Sequence, residues 1–432
     1  MKKVLIITYY WPPAGGAGVQ RWLKFAKYLP ENGWYPVIYT PENPESPALD
    51  HSLLKDIPQS ITALKKPIWE PFDWYKKFTG RKKTETLGAG FLSESSSTGI
   101  AEKIAVWVRG NFFIPDAKCF WIKPSVKYLK QYLHKNPVDL IISTGPPHTT
   151  HLIALQLKKS MGFKWIADFR DPWTEIDFFD QLKLTAWAKR KHLKLERRVI
   201  ENADQVITVG NSMSESFKKQ FAVYPVTITN GYDHDDLLHE EVPSGDRFTL
   251  VHVGSINKDR NHRVFWESIR ELVDENSGFK SHFELHFIGK TDLEVKNDVE
   301  KYSLTNQVKF TPYLDHDQVL RQEKAASVLY LPINNTANAK GIITGKLFEY
   351  LASQRPILAI APPDGDLAAI LNESGAGWVS NFDDKINLKK NLSLLFEQHQ
   401  NGSLQPESRG IEKYSRKYLT RRLVDEMNKL IP

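Results

Sequence analysis

Lys2-Lys3-Val4-Leu5-Ile6-Ile7-Thr8-Tyr9-Tyr10-Trp11-Pro12-Pro13-Ala14-Gly15-Gly16-Ala17-Gly18-Val19-Gln20-Arg21 is the stretch on which the fold turns. Its apolar run, Val4 to Ile7, reads as a first buried strand; a loop of prolines and glycines follows, and a helical pattern opens after it. Strand, glycine loop and helix together form the opening unit of a parallel α/β sheet. Without Cβ atoms the loop lets a ligand approach the backbone beside a helix N-terminus, so Gly16 is a candidate contact for a phosphate or sugar. A dinucleotide fingerprint requires Gly-x-Gly-x-x-Gly. Counted from Gly16 the third glycine is replaced by Arg21, and counted from Gly15 the second is Ala17, which argues against NAD. A glycine turn with a purely structural purpose fits the same residues.

Outward from this unit, β-rich runs alternate with amphipathic helical patterns. Strands are expected at Val4 to Thr8, Pro36 to Thr40, Leu140 to Ser143, Trp165 to Asp168 and Gln205 to Val209. The second half repeats the pattern at Thr249 to Val253, His282 to Ile288, Val308 to Phe310, Ser327 to Leu331 and Pro356 to Ala359. Asp233 to Asp246, polar and acidic with Pro243 and Gly245, reads as a linker. The fold class is therefore α/β, as two doubly wound domains over residues 1–235 and 245–410, with a closing helix over 411–432. A Gly/Ser-rich patch, Gly88 to Thr98, reads as a mobile loop.

With 432 residues and 41% apolar composition, the chain has material for two or three full cores. Its single cysteine, Cys119, cannot close an internal disulfide, so nothing calls for an oxidising compartment. The first apolar run is too short for a signal sequence, and no segment approaches the roughly 20 apolar residues of a membrane span. The expected location is the cytoplasm. Net charge is +7, yet residues 1–235 hold 33 Lys/Arg against 23 Asp/Glu while the remainder holds 25 against 28. A basic first half suits something anionic, a phosphorylated acceptor or a lipid surface. Nucleic acid is not expected, because no binding motif accompanies the charge.

A second stretch, Gly345-Lys346-Leu347-Phe348-Glu349-Tyr350-Leu351-Ala352, sets a cation and a carboxylate three residues apart where a helix should begin. Positions i and i+3 share a helix face. Lys346 can reach a phosphate while Glu349 accepts hydrogen bonds from a ribose diol, and the helix N-terminus adds N–H groups and a positive dipole. An ordinary surface Lys–Glu pair is the other reading.

Taken in order, several weak motifs make the chain resemble, over nearly its whole length, the retaining family 4 glycosyltransferases of the GT-B class. They are the glycine loop, Ala203-Asp204-Gln205-Val206-Ile207-Thr208-Val209, Asn230-Gly231-Tyr232-Asp233, Val253-Gly254-Ser255 and Gly345 to Ala352. The resemblance implies two Rossmann-like domains facing across a cleft, with a nucleotide-diphosphate sugar, UDP- or GDP-linked, in the second. A hydroxyl acceptor, lipid-linked or a growing surface polysaccharide, would occupy the first, and no metal or other cofactor is implied. Glu349 would bind the ribose. Lys346, with the backbone of Thr344 and Gly345, would lie beside the diphosphate and stabilise charge on the leaving phosphate. Gly254 would approach the same phosphates. The family often carries Arg directly after this glycine; Ser255 stands there, so Lys258 or Arg260 is expected to reach back, Arg260 being favoured for its two-donor fork. A solvated basic loop is the alternative. Eight residues before Glu349, where many relatives carry an acid, stands Gly341, so the identity of the sugar does not carry over. A sugar-nucleotide epimerase or hydrolase, or a non-catalytic binding module, would keep the same fold.

In the first half, Gly145-Pro146-Pro147-His148-Thr149-Thr150-His151 follows a strand at the end where open α/β sheets bind ligands. His148 resembles a family histidine near donor sugar and acceptor; a helix-cap or core role is the alternative, and His151 lacks a third partner for zinc. Asp168-Phe169-Arg170-Asp171-Pro172-Trp173 ends the next strand, and Asp168, Arg170, Asp171 and Trp173 are candidate acceptor-binding residues or, alternatively, a braced turn. Asp233-His234-Asp235 and Asp315-His316-Asp317 match a metal-binding Asp-x-Asp in the wrong context; the second reads as a helix cap. An insertion over about 65–135 carries Trp69, Phe72, Trp74, Tyr75, Phe78, Trp107, Phe112, Phe113, Phe120 and Trp121 with 14 Lys/Arg against 6 Asp/Glu. It suits an anionic membrane surface, with Lys76-Lys77 and Arg81-Lys82-Lys83 meeting phosphates, or else its rings pack a core. The last segment shows helical spacing through Tyr418, Leu423, Met427 and Leu430 and, by the resemblance, returns to the first domain.

Overall fold

The computed structural model describes residues 1–46, 49–70, 100–177, 179–237, 242, 245–405 and 408–432. Lys76-Lys77, Arg81-Lys82-Lys83, Phe72, Trp74, Tyr75, Phe78 and the Gly88 to Thr98 patch lie outside the described residues. The chain forms two units, one of Met1–Thr229 with Arg416–Pro432 and one of Asn230–Ser415.

The first unit is built on strands β1 (Lys2–Ile7), β2 (Trp34–Pro41), β3 (Thr62–Lys66), β4 (Leu140–Gly145), β5 (Lys164–Phe169), β6 (Gln205–Thr208) and β7 (Val226–Thr227). They pair in parallel in the order β3-β2-β1-β4-β5-β6-β7. Its described helices are α1 (Ala17–Tyr28), α2 (Ile100–Phe112), α3 (Ile122–Lys135), α4 (Thr149–Met161), α5 (Ala186–Asn202) and α6 (Asn211–Phe221). The second unit repeats the plan with β8 (Phe248–Val253), β9 (Phe283–Ile288), β10 (Val308–Thr311), β11 (Val328–Pro332), β12 (Ile357–Ile360) and β13 (Gly377–Ser380), all parallel, in the order β10-β9-β8-β11-β12-β13. Its helices are α7 (Arg263–Glu275), α8 (Ser277–His282), α9 (Leu293–Lys301), α10 (His316–Ala325), α11 (Gly345–Ser353), α12 (Asp366–Ser374) and α13 (Lys385–Gln400). Strand order reverses beside β1 in one sheet and beside β8 in the other. In such sheets ligands bind outside the carboxyl ends of the strands at that reversal, which points to the loops after β1 and β4 and those after β8 and β11.

All ten expected strands are present. The three that were not expected, β3, β7 and β13, are sheet edges. Central strands such as β4 and β11 are buried at every residue, β11 as an unbroken apolar run and β4 opening on Leu-Ile-Ile, whereas β3 is Thr-Ala-Leu-Lys-Lys with no fully buried position.

The boundary between the units falls at Thr229, ahead of residue 235. Tyr232 donates its N–H to Tyr414 O at 3.1 Å and Asp233 caps the turn His234–Asp236, so the start of the expected linker is already anchored in the second unit. Helix α14 (Arg416–Leu430) belongs to the first. It buries Leu419, Leu423, Val424 and Met427 against Trp22, Phe25 and Trp34, and Trp34 Nε1 donates to Asn428 Oδ1 at 3.1 Å. Tyr418 is exposed, so Leu419 begins the buried stripe in its place.

Candidate active site

In the second unit, β8 runs into Gly254, which adopts φ +98°, a conformation that side-chain-bearing residues rarely tolerate. A Cβ there would overlap the Lys346 side chain, lying 2.7 Å from Nζ; only glycine lets that ammonium lie across the turn. Gly289, after β9, packs as tightly: a Cβ on it would sit 2.8 Å from Gly254 O. Helix α11 is bolted in place by Tyr350, whose hydroxyl accepts the Val253 N–H at 2.9 Å. This bond fixes Lys346, one turn earlier, at the end of β8. Thr344 is the N-cap, and its buried hydroxyl makes no capping hydrogen bond.

Arg260 reaches back to the same turn, donating through Nη1 to Ser255 O at 3.1 Å and through Nε to Asn334 Oδ1 at 2.8 Å. Desolvation and the Arg260 charge pull the half-buried Lys346 ammonium down to about 8, although the carboxylates of Glu349 and Glu323 favour its charged form. Glu323, on α10, is fully buried and neither carboxyl oxygen has a hydrogen-bond partner. Burial, reinforced by the Glu349 charge, pushes it well above the usual carboxylate range. Two cations, an open helix N-terminus and a carboxylate three residues along it therefore collect at one strand edge, an arrangement able to hold a diphosphate and a diol.

In the first unit, α4 starts at the carboxyl end of β4 with His148 in the N-cap position. The imidazole stacks on Trp173 at 4.5 Å with parallel planes, and Trp173 Nε1 donates to His192 Nδ1 at 3.0 Å. Burial and the neighbouring His151, His192 and Arg170 hold His148 neutral, its value well below the ordinary one. His151 accepts or shares a hydrogen bond between Nδ1 and Ser143 Oγ at 2.8 Å, and burial takes it down to about 3. The α4 N-terminus is capped by Asp116, which accepts from Thr149 N at 3.0 Å and Thr149 Oγ1 at 2.7 Å. Among the described residues, no cluster of three or more His, Cys, Asp or Glu has the geometry to hold a metal ion.

Residues 91–236 match the family described as Glycosyltransferase Family 4, and residues 234–417 match that described as Glycosyl transferases group 1. This chain belongs to the family 4 glycosyltransferases. The probable glycosyltransferase WbjE of Pseudomonas aeruginosa is 21% identical over 276 residues, 60% of this chain and 66% of the relative, so the match spans slightly less than two thirds of that protein. A glycosyltransferase from Rickettsia africae ESF-5 superposes with a TM-score of 0.64 at 12% identity, over 100% of this chain and 98% of that one. WaaG, a glycosyltransferase involved in lipopolysaccharide biosynthesis, gives 0.58 at 15% identity over 98% and 99%. At such identities the likeness is one of fold, and the fold is GT-B.

In this glycosyltransferase Gly254, Arg260, Thr344, Gly345, Lys346 and Glu349 all gather at the carboxyl edge of the second sheet. Lys258 does not join them: it lies exposed on the turn Lys258–Arg260. Gly16 sits at the corresponding edge of the first sheet, at φ +98° before α1. Asp168 is a correction to the expected acceptor set. It accepts from Arg21 Nη2 at 2.8 Å, Trp22 Nε1 at 2.8 Å and Thr144 Oγ1 at 2.8 Å and is fully buried, so it holds Arg21 and the glycine-loop helix and offers no open face to an acceptor. Burial alone would raise its carboxyl, but Arg21 and these hydrogen bonds hold it below the usual range. Trp173 is likewise committed, bracing His148. Arg170 donates to Gly145 O and Pro146 O and packs on Gly18, tying the glycine loop to the β4 loop; Asp171 is exposed beside it. Of the two Asp-x-Asp matches, Asp233 caps a turn and Asp315 forms a capping box with Gln318 on α10.

Sequence reading missed Glu323, Asn334 and the pair Glu70 and Lys118. Lys118 Nζ donates to Glu70 Oε2 at 2.6 Å, and Tyr9 donates to the other oxygen at the end of β1. Glu323 had a usable signal: it stands three residues after Leu320 on the buried face of α10, where an acid is out of place.

Proposed function

We propose that this glycosyltransferase moves a sugar from a nucleotide-diphosphate donor, UDP- or GDP-linked, to a hydroxyl acceptor with retention of configuration and without a metal. The acceptor would be lipid-linked or a growing surface polysaccharide, met at an anionic membrane face. One observation carries the donor reading: the Lys346 ammonium lies against the side-chain-free Gly254 turn, with Arg260 folded back to the same loop. As the glycosidic bond breaks, charge builds on the departing diphosphate, and cations and N–H dipoles already fixed at that place lower the barrier without reorganising. Glu349, one turn into α11, would accept from the ribose diol. The epimerase and hydrolase readings differ in one observable, turnover of donor in the absence of acceptor.

A thermal-shift screen of UDP-, GDP- and ADP-sugars tests this reading. One nucleotide should raise Tm, and Glu349→Ala should weaken its binding by about tenfold to a hundredfold, the worth of charge-assisted hydrogen bonds. Unchanged binding in Glu349→Ala, or no shift with any nucleotide, would sink it. Product anomer analysis by NMR decides retention.

A further inference from the structure

Every exposed tryptophan and phenylalanine among the described residues belongs to one region of the first unit. Trp69 is 60% exposed, Trp107 39%, Phe112 65%, Phe120 48% and Trp187 60%. Their rings form two contact chains. Trp69 meets Phe120 at 5.0 Å and Phe120 meets Phe113 at 5.8 Å, while Trp107 meets Phe112 at 5.8 Å. The end of α2 is fastened to the start of α5: Asn111 Oδ1 accepts the Thr185 N–H at 2.7 Å, and Gly110 packs on Leu182 and Leu184. Phe112 and Trp187 are thereby held on one surface.

The outer face of α5 is cationic. Lys189, Arg190, Lys191, Lys194, Arg197 and Arg198 are all exposed, together with Leu193, while Ala188, His192, Glu196 and Val199 turn inward. Only Arg197 finds a carboxylate on the helix, Glu201 at 3.1 Å, and Lys191 lies over the Trp187 ring at 4.7 Å. Over its 17 residues α5 thus presents about 25 Å of cations interleaved with apolar groups. Exposed Leu193 and, on α2, Ile104 have no ring on which a nucleobase could stack. They can enter hydrocarbon.

We infer that this face, α5 with the end of α2 and the Trp69–Phe120 pair, docks on an anionic lipid bilayer, its aromatic and aliphatic groups at the headgroup boundary and its cations on lipid phosphates. The inference rests on the proposed membrane-borne acceptor and locates its approach. The inward side of α5 carries His192, which holds Trp173, on which His148 stacks. His148 is therefore separated from the lipid plane by α5, about 10–12 Å across, and by the Trp173 ring beneath it, about 20 Å in all.

The test is co-sedimentation of the full chain with vesicles of phosphatidylcholine alone and of an equimolar mixture with phosphatidylglycerol. The chain should pellet with the anionic vesicles and be released by salt. The triple reversal Lys189→Glu, Arg190→Glu, Lys194→Glu should weaken binding more than a hundredfold, at about fivefold per lost cation and at least as much again for each added repulsion. Trp187→Ala, at an exposed position, should weaken it several-fold while leaving Tm unchanged. Nucleotide thermal shifts in the same variants report the second unit separately, so loss of lipid binding is distinguishable from failure of the donor reading. Three results overturn the inference: no pelleting with anionic vesicles, pelleting equal on neutral ones, or binding untouched by the triple reversal. Tighter retention on a single-stranded oligonucleotide than on anionic vesicles would also do so.

Discussion

Lys346 makes the affinity for a nucleotide-diphosphate sugar depend on pH in a range where an ordinary lysine would not. With its ammonium pulled down to about 8, the cation is present in about nine-tenths of molecules at pH 7 and about one-tenth at pH 9. A diphosphate binds the charged form, so apparent affinity scales with that fraction and should fall about tenfold over the interval, about 1.4 kcal/mol. The diphosphate diester of a sugar nucleotide holds its charge throughout, and titration of the base is common to any variant. Calorimetric titration of wild type and Lys346→Met at pH 7, 8 and 9, at constant ionic strength, separates the effect: wild type weakens with pH, while the variant binds more weakly and nearly flat. The same shift has a stability consequence of known sign. A base whose folded value is depressed costs stability while it stays charged, and the cost fades as pH rises from about 8 towards the unfolded value of 10.5. The full shift corresponds to about 3 kcal/mol; because the side chain is only half-buried, about 1 kcal/mol is expected, and Lys346→Met should melt higher than wild type at pH 7. A wild-type affinity that stays level to pH 9, or a variant that melts lower, would refute the placement of this ammonium.

Other substitutions separate structural from ligand-binding roles. Asp168→Asn leaves Arg21 buried opposite a neutral amide and should cost about 3–5 kcal/mol in urea denaturation, with nucleotide binding by the second unit unchanged. In wild type the stabilisation from this carboxylate, whose folded value is depressed, should persist above the unfolded value and be lost only as pH falls through the folded one. Glu323→Leu removes two unpartnered buried oxygens and should stabilise by about 1–3 kcal/mol at pH 7. That gain should shrink as pH falls, because the wild-type carboxyl, raised in the fold, becomes less unfavourable once the unfolded chain is protonated too. Gly254→Ala, strained at φ +98° and overlapping Lys346, should lower nucleotide affinity at least tenfold by calorimetry, with a melting point lower by only a few degrees.

The sheets were legible because parallel strands buried on both faces must be apolar at consecutive positions, a pattern that Val4–Ile7 or Val328–Leu331 display without any partner in view. β7, two residues long, carries no such pattern, and its place is set by pairing with β6. The site was legible where function depends on local spacing, as for Lys346 and Glu349 on the first turns of α11. It was misread where a partner comes from far along the chain. Asp168 ends a strand at the ligand edge, as an acceptor-binding acid would, and nothing near it in sequence reveals that Arg21, 147 positions away, claims it. Arg260 was favoured over Lys258 for its two-donor fork, and the partners that fix its direction, Ser255 and the distant Asn334, are visible only in the fold.

Partnerless buried polar groups in the second unit gather mainly at one edge of its sheet. Among the described residues they include His252 Nε2 on β8, Asn257 Oδ1 on the loop after it, Thr344 Oγ1 before α11 and both oxygens of Glu323. His252, Asn257 and Thr344 lie on β8 or the loops that lead from the carboxyl edge of the sheet; Glu323 lies on α10, and Ser408 Oγ, the remaining such atom of this unit among the described residues, lies after α13. A core selected for stability alone would satisfy or replace such groups, since each costs on the order of 1–3 kcal/mol. Their coincidence with a depressed lysine and two tightly packed glycines indicates that stability is given up locally where charge must be managed. Glu323 follows from this reasoning: burial favours the protonated form of its carboxyl, and in that form it sets no fixed counter-charge beside Lys346 and leaves the ammonium to an incoming diphosphate. If Glu323 were instead ionised and paired with Lys346, Glu323→Gln would weaken the fold and sharpen nucleotide binding; if it is neutral, Gln should leave both nearly unchanged.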